Sequence, residues 1–322
     1  MRSHSSAQSQ AASGNHKTAA DLQHLIRLQY PARQLPLTQH VTVQTRMLGN
    51  HSSRQRGRGM NFEELRHYRI GDDIRQMDWK VSNRTRKPHV RVYAEEREQP
   101  VLLVVDMRQA MYFGSRRMMK SVVAAEVAAL LAWHVVHKGD RIGLLIFNEQ
   151  QCHEVRPRRS QHQIMRILNL LCDYSEQLSE LRSTAANQLN PMLHRIHNLA
   201  GHDGSIHLIS DLDHANDETT ERLSQLARHN NVCVNYIYDP LEHRLPQQGR
   251  LAVSDGQFQV ELNMQDTQLR RRFAEGFDQR LHQIQQFLRA RSIPVRPLST
   301  ATSVEEQLRR MLRPAMSSTG LR

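Results

Sequence analysis

The sequence predicts an α/β protein with a mostly parallel sheet and helices on both faces of that sheet. From residue 100 onward, short apolar segments alternate with longer segments of helical periodicity, which is typical of repeated strand–helix–strand units. The first apolar segment, residues 101–105, is a continuous run without alternation, as expected of a strand buried on both faces. A small β-rich unit is predicted to precede this domain.

Length and composition limit the class of protein. The chain has 322 residues, enough for two domains of ordinary size, and 39% of them are hydrophobic. The longest apolar run, residues 121–136, is interrupted by Glu126 and His134, so we expect no membrane span. Residues 1–17 lack the apolar core of a signal peptide, and three scattered cysteines form no disulfide framework. We therefore expect a cytoplasmic protein.

The positive charge is unevenly distributed. The formal net charge is +12, yet residues 98–269 hold 16 Lys or Arg against 20 Asp or Glu. Residues 46–97 hold 13 against 7, and residues 270–322 hold 11 against 4. Basic flanks of this kind suit an acidic protein or a nucleic acid. Few aromatic residues interleave the arginines near residue 270, so nucleic acid is the less favoured partner.

Breaks in the pattern divide the chain into four segments. Residues near the start are rich in Ser and Gln without apolar periodicity. A capping-box pattern at Thr18 and Asp21 then begins a short helix, which we expect to end at Pro31. The predicted segments are a disordered tail (1–17), a short helix and linker (18–36), a small β-rich unit with an irregular insert (37–98) and the α/β domain (99–315).

The α/β domain continues with regular elements after its first strand. Apolar residues at helical spacing predict helices over 116–137, 161–171, 189–199, 217–229, 265–291 and 304–312. Short apolar runs predict strands over 142–147, 206–210, 232–238 and 293–298. Asp255 and Gly256 lie between two more apolar runs, 251–253 and 258–260, which predicts a hairpin.

Two predicted strands end in aspartate, namely Asp106 and Asp211. Ligands of open α/β sheets bind beyond the carboxyl ends of the strands, where strand order reverses. This edge resembles that of a von Willebrand factor A domain, which binds Mg²⁺ through Asp-x-Ser-x-Ser, a Thr and a further Asp. The residues that the resemblance places there are Asp106, Arg108, Ala110, Asn187 and Asp211.

Arg108 and Ala110 replace two hydroxyl ligands with a cation and a methyl group. Mg²⁺ requires six oxygens in tight octahedral geometry. A guanidinium about 5 Å from the ion would be repelled by about 7 kcal/mol at an effective dielectric constant of about 20. We therefore expect Arg108 to pair with Asp106 or Asp211 in place of a metal. The alternatives are a Mg²⁺ or Mn²⁺ site on the two aspartates with other ligands, and Asp106 as a simple turn cap.

A second resemblance lies upstream, in the stretch GMNFEELRHYRIGDDIRQMDWK at residues 59–80. It resembles the signature of the bacterial domain-of-unknown-function family number 58, and the likeness covers about residues 20–315. The resemblance implies a von Willebrand factor A-like domain and a partner among the MoxR-type AAA+ ATPases, in chaperone-like maturation or remodelling of proteins. The signature residues are Arg66, Tyr68, Gly71, Asp72, Asp73, Arg75, Asp78, Trp79 and Lys80.

Three interpretations of the signature remain open. The alternating acids and bases favour an ion-pair lattice that fixes an irregular segment, with Trp79 as its apolar anchor. A docking surface anchored by Trp79 and Arg75 is the second interpretation. Catalysis by the carboxylates is the least favoured, because no nucleophile or base is paired with them.

The sequence thus favours a non-enzymatic protein-binding adaptor without a cofactor. No phosphate-binding P-loop, HExxH or GxSxG motif occurs in the chain, so we expect no nucleotide hydrolysis. The expected contact face comprises Asp106, Arg108, Gln109, Asn187 and Asp211, and the alternatives are a metal-dependent binding protein and a nucleic-acid binder. The sequence specifies neither the client protein nor the oligomeric state.

Overall fold

The predicted mixed α/β fold, with helices flanking a mostly parallel six-stranded sheet, is confirmed. A computed structural model describes residues 18–35, 60–95, 100–178, 189–247, 250–254 and 259–311. These residues form two compact units. One contains residues 60–95, and the other contains the remaining described residues.

Strands and helices follow one another along the described chain. The strands are β1 (Met60–His67), β2 (His89–Glu95), β3 (Pro100–Asp106), β4 (Arg141–Phe147), β5 (Cys152–Arg158), β6 (Ser205–Ser210), β7 (Asn231–Tyr238), β8 (Arg250–Ser254), β9 (Gln259–Asn263) and β10 (Val295–Ser299). The helices are α1 (Leu22–Arg27), α2 (Gln29–Gln34), α3 (Trp79–Thr85), α4 (Lys120–Lys138), α5 (Gln161–Gln177), α6 (Leu189–Ala200), α7 (Asp217–Ala227), α8 (Pro240–His243), α9 (Thr267–Arg289) and α10 (Val304–Met311).

The main sheet has the order β10-β7-β6-β3-β4-β5, and only the edge strand β5 runs antiparallel to its neighbour. Counted along the chain, these six strands are arranged 3-2-1-4-5-6, which is a doubly wound order. The order reverses beside β3, because β4 lies on one side of it and β6 on the other. Strands β8 and β9 form the predicted hairpin as an antiparallel pair, and its turn at Asp255 and Gly256 lies outside the described residues.

Alternate side chains of β3 face two different apolar layers. Val101, Leu103 and Val105 pack with residues of α1, α2, α4, α5 and α10. Leu102 and Val104 pack with residues of α6, α7 and α9 on the opposite face. The continuous apolar run of the sequence follows from this double burial, since both faces of the strand are removed from water.

Helix α4 lies at the centre of one layer and is buried on nearly all sides. Within the described residues, it is the one helix that is long and apolar enough to cross a membrane. Its apolar stretch is 89% buried inside the protein. By length and composition, this helix meets the criterion that the interrupted apolar run was expected to miss. Its burial against the sheet and the neighbouring helices is typical of a core helix in a soluble fold.

The N-terminal helices also pack on α4, where the sequence predicted one helix and a linker. The side chain of Asp21 caps α1 by accepting hydrogen bonds from the amides of Gln23 and His24. Pro31 does not end a helix, contrary to prediction, but lies in the first turn of α2. A proline is tolerated there because the first-turn amides have no partner within the helix.

Two further elements differ from the sequence prediction. Helix α4 begins at Lys120, four residues later than predicted. In the segment that precedes it, Ser115 forms hydrogen bonds with Asp239. Strand β5 was not predicted, since only Val155 of its seven residues is buried and the apolar alternation is lost. Edge strands commonly show this weak pattern because one side faces water.

The smaller unit is a β-hairpin whose long connection is ordered. Strands β1 and β2 pair antiparallel, and between them lie a 3₁₀ turn (Ile74–Gln76) and α3. Met77 forms an isolated bridge with Val90 of β2. The insert expected to be irregular therefore contains a capped helix that is tied to the hairpin.

A buried histidine links α2 to α4 and makes stability depend on pH. His134 donates from Nδ1 to the carbonyl oxygen of Ala32 at 3.1 Å, and its buried Nε2 has no partner among the described residues. Burial, together with the charges of Lys138 and His137, holds the pKa of His134 below its ordinary value of 6.5. The unfolded chain consequently binds a proton in this range that the folded chain does not.

We predict that acidification below pH 6.5 destabilises the wild type more than His134→Asn, whose amide keeps a donor near Nδ1 and does not titrate. Linkage of one proton sets an upper limit of about 1.4 kcal/mol per pH unit for this difference. Urea unfolding at pH 7.5 and 5.5 measures the loss of unfolding free energy in both proteins. The variant retains every other histidine, so its loss accounts for their contribution. Equal losses in both proteins would contradict the prediction.

Candidate functional site

The candidate site lies at the carboxyl edge of the main sheet, beside the point where strand order reverses. Asp106 is the last residue of β3, and Asp211 directly follows β6, the strand beside it. Asp106 is fully buried and Asp211 is 5% exposed. The structure thus brings together the two aspartates that the sequence singled out.

Arg108 pairs with Asp106, one of the two partners expected for it. Its Nε lies 2.9 and 3.1 Å from the two carboxylate oxygens, and its Nη2 lies 2.7 Å from Oδ2. The Ser210 hydroxyl also donates to Oδ2 at 2.7 Å. Only 4% of Arg108 is exposed, so a buried charge pair stands at the strand end. Burial opposes the charge of Arg108, but Asp106 and Asp211 raise its pKa well above the ordinary value.

A second cation forms an ion pair with Asp211. The sequence did not identify it as a site residue. Lys120 begins α4, and its Nζ lies 2.7 Å from Asp211 Oδ2 and 2.7 Å from Glu242 Oε1. Arg108 reaches the other oxygen of Asp211 only at 4.0 Å. Burial alone would raise the pKa of Asp211, but the charge and hydrogen bond of Lys120 outweigh it and lower that pKa. Burial would lower the pKa of Lys120, but its contacts with Asp211 and Glu242 outweigh burial and raise that pKa.

The network extends to Asp239, which follows β7 and is fully buried. Its carboxylate accepts hydrogen bonds from the backbone and hydroxyl of Ser115 and from the hydroxyl of Thr300, beyond β10. Its own amide donates to Glu242 at 3.0 Å. Asp239 therefore joins the ends of β7 and β10 to the segment that precedes α4.

The remaining residues of the expected contact face are only partly placed. The amide of Gln109 donates to Glu149 Oε1 at 2.8 Å, which ties the loop after β3 to the loop after β4. Gln109 is partly exposed, unlike Asp106 and Arg108. Asn187 lies outside the described residues. Within the described edge, partners can reach Gln109, Asp213 and Glu242, but not the buried aspartates.

The residues at this edge do not fit a divalent cation. Both oxygens of Asp106 are bonded to Arg108, and Asp211 is bonded to Lys120 and to the amide of Asp213. Ala110 supplies no side-chain oxygen. Within the described ranges, no cluster of three or more His, Cys, Asp or Glu side chains is arranged to hold a metal. Mg²⁺ would have to displace two buried cations and then lack oxygen ligands.

In the smaller unit, the signature acids hold their own backbone segment. Asp72 accepts a two-pronged pair from Arg66, with both N–O distances 2.8 Å, and a backbone hydrogen bond from Arg69. Gly71 beside it has φ +107°, which favours glycine at this turn. The pKa of Asp72 is lowered, chiefly by the hydrogen bond from Arg66.

Asp73 and Asp78 act as helix caps. Asp73 accepts from the amide of Arg75 at the 3₁₀ turn, and Asp78 accepts from the amide of Val81 at the start of α3. Arg91 of β2 pairs with the second oxygen of Asp78 at 2.9 Å. The pKa of Asp78 is lowered, first by the Val81 amide and then by Arg91.

The basic and apolar signature residues point outward, apart from Arg66. Trp79, expected as the apolar anchor of an ion-pair lattice, is 61% exposed. Arg75 and Lys80 are exposed as well. Tyr68 is partly buried, and its amide donates to the carbonyl oxygen of Pro88 at 2.9 Å.

Comparison with known proteins places this sequence in a family. The profile described as "Protein of unknown function DUF58" matches residues 64–283, more than half of the chain. The chain belongs to the DUF58 family. The DUF58 segment includes most of the signature and both aspartates of the sheet edge.

Relatives of this DUF58 chain include the uncharacterized proteins Mb1516 of Mycobacterium bovis and Rv1480 of Mycobacterium tuberculosis H37Rv. Each is 35% identical over 139 residues, which are 42% of this chain and 44% of the relative. The match thus spans less than half the length of these relatives.

Among solved structures, similarity extends to the conserved hypothetical protein BatB from Bacteroides thetaiotaomicron. It is 11% identical, covers 67% of this chain and 100% of that one, and has a TM-score of 0.39. An aerotolerance-related membrane protein from Bacteroides fragilis is 9% identical, covers 66% of this chain and 96% of that one, and has a TM-score of 0.35.

We predict that Arg108→Met destabilises the protein by about 3–5 kcal/mol, because it leaves Asp106 buried and unpaired. The double variant Arg108→Met with Asp106→Asn should recover part of this loss, since the charge is removed as well. Urea unfolding measures the difference. Arg222→Ala serves as the control, because its pair with Glu218 is an ordinary surface i,i+4 contact. A loss for Arg108→Met no larger than for the control would contradict the assignment.

We also predict that millimolar Mg²⁺ or Mn²⁺ leaves the melting temperature of the chelator-treated protein unchanged. Binding at about 100 times its dissociation constant would stabilise the protein by about 2.7 kcal/mol. Sodium chloride of matched ionic strength is the control for charge screening. A metal-specific rise that disappears in Asp211→Asn would show that the site accepts a cation after all.

Proposed function

We propose that this chain is a non-enzymatic, cytoplasmic protein-binding adaptor with a von Willebrand factor A-like domain. Its partner would be a MoxR-type AAA+ ATPase, and the pair would act in chaperone-like maturation or remodelling of other proteins. The proposal combines the family resemblance with the geometry of the sheet edge. Membership of the DUF58 family by itself specifies neither an activity nor a partner.

The observation that carries the proposal is that Asp106 and Asp211, the two aspartates singled out by the sequence, are each paired with a cation of the same chain. Arg108 is bound to Asp106 and Lys120 to Asp211, and all four side chains are at most 5% exposed. A doubly wound sheet presents its ligand surface at this edge, beside β3. Fixed internal charge pairs occupy the edge where the resemblance to a von Willebrand factor A domain implies a metal. Such an edge suits recognition of a protein surface.

The chemistry of the edge also favours binding over catalysis. Gln109, Asp213 and Glu242, which are partly exposed at this edge, include no nucleophile. The hydroxyl of the exposed residue Ser115 donates to Asp239, which is fully buried and also accepts from the Ser115 amide and the Thr300 hydroxyl. Lys120 is protonated and bonded to two carboxylates, so it does not act as a base or a nucleophile. The partner is therefore expected to contact the partly exposed rim, while the buried pairs hold that rim in place.

We predict that the full-length chain binds the purified MoxR-type ATPase, and that Asp213→Lys weakens this binding at least tenfold, because it reverses a charge on the rim. Biolayer interferometry with and without ATP measures the affinity. Glu221→Lys, on the exposed side of α7, is the matched charge reversal away from the rim. Melting temperatures of both variants establish that they are folded.

Two outcomes would count against the proposal. The first is no binding of the ATPase in any nucleotide state. The second is equal weakening by Asp213→Lys and Glu221→Lys, which would indicate a general charge effect and not a contact at the sheet edge.

A further inference from the structure

The smaller unit presents a set of exposed side chains that the proposed function leaves unused. They lie on the turn, the 3₁₀ segment and the first turn of α3. Ile70, Ile74 and Trp79 are exposed by 102%, 59% and 61%. We call this the signature surface, and it comprises Arg69, Ile70, Ile74, Arg75, Trp79 and Lys80.

The signature surface is basic because the neighbouring acids are bonded to other arginines and to backbone amides. Asp72 is bound to Arg66 and to the amide of Arg69, and Asp78 is bound to Arg91 and to the amide of Val81. Asp73 caps the 3₁₀ turn. The three acids thus stabilise the backbone of the segment that carries them.

The cations of the surface, by contrast, have no acidic partner of their own among the described residues. Arg69, Arg75 and Lys80 form no ion pair within 4.0 Å with another described side chain. Asp73 is the one exposed acid among the described residues of this segment. The segment therefore exposes three cations, one anion and three large apolar side chains. Its net charge is positive, so its electrostatic complement is acidic.

The segment that carries these side chains is held in one conformation. Its two ends join β1 and β2, Met77 bridges to Val90, and the amide of Asp78 donates to the carbonyl oxygen of His89 at 2.9 Å. A segment fixed before binding loses little conformational freedom when a partner arrives. Exposed Trp and Arg on a fixed backbone are the residue types that dominate binding energy at protein interfaces.

We propose that the signature surface is a docking site for a protein partner that presents an apolar cleft rimmed by Asp and Glu. Trp79 and Ile74 fill the cleft, while Arg75 and Lys80 pair with its acidic rim. This goes beyond the sheet-edge function, because it assigns a second surface in the other unit and states the chemistry of its partner. An anionic membrane fits less well, since α3 has only seven residues and Asp73 would face the lipid headgroups.

A peptide selection tests the chemistry without relying on the ATPase. A random peptide library displayed on phage is selected on the full chain and counter-selected on Trp79→Ala. The expected peptides combine apolar residues with Asp or Glu, and they bind Trp79→Ala and Arg75→Glu at least tenfold more weakly than the wild type. Matched controls are Tyr30→Ala, an exposed aromatic of the other unit, and Arg84→Glu, at the last turn of α3. Both controls are expected to retain wild-type affinity.

Tryptophan fluorescence gives a direct readout. The chain has two tryptophans, and Trp133 is buried with its Nε1 bonded to the carbonyl oxygen of Leu25. Binding of a selected peptide should shift the emission of the wild type to shorter wavelength. The shift should vanish in Trp79→Phe, which leaves only the buried Trp133.

Three results would overturn the proposal. One is the absence of any peptide that distinguishes the wild type from Trp79→Ala. Another is enrichment of neutral or basic peptides. The third is binding to vesicles of phosphatidylcholine and phosphatidylglycerol that depends on Trp79 and Arg75, which would assign the surface to a membrane. Loss of ATPase binding by Asp213→Lys but not by Trp79→Ala would leave the sheet-edge function intact while separating it from this surface.

Discussion

The carboxyl edge of the sheet depends on one buried charge pair, that of Arg108 with Asp106. Asp106 ends the central strand, where no water reaches its carboxylate. A buried charge without a partner is strongly destabilising, whereas a pair with several hydrogen bonds is tolerated. Arg108 provides three N–O contacts within 3.1 Å, and Ser210 provides one more. These contacts stabilise the conformation of the loop after β3 in which the guanidinium returns to the strand end.

Further charged contacts connect this pair to the neighbouring strand ends. Arg108 is 4.0 Å from Asp211, and Asp211 is bonded to Lys120, which also binds Glu242. Glu242 accepts a hydrogen bond from the amide of Asp239, whose carboxylate binds Ser115 and Thr300. The ends of β3, β6, β7 and β10 and the start of α4 are thus connected by polar contacts. In such a network the removal of one member leaves its neighbours buried and unsatisfied.

The two units use charge in opposite ways. At the sheet edge, cations and acids satisfy one another in the interior, and the accessible rim is formed by Gln109, Asp213 and Glu242. In the smaller unit, Asp72, Asp73 and Asp78 stabilise the backbone, while Arg75, Trp79 and Lys80 face the solvent. The sequence shows the same mixture of acids and bases in both places. Only their partners distinguish an internal network from an outward surface.

Sequence alone determined the features that depend on local periodicity. The double burial of β3, the helical stripes and the aspartates at two strand ends are all visible in neighbouring residues. The sequence left the partner of Arg108 open between Asp106 and Asp211, and the structure pairs it with Asp106. The tertiary structure alone decided which distant groups meet. Lys120 lies 91 residues from Asp211 and 122 from Glu242, so no local pattern indicates their contact. It also decided that Trp79 faces water, because exposure depends on how the chain folds around a side chain.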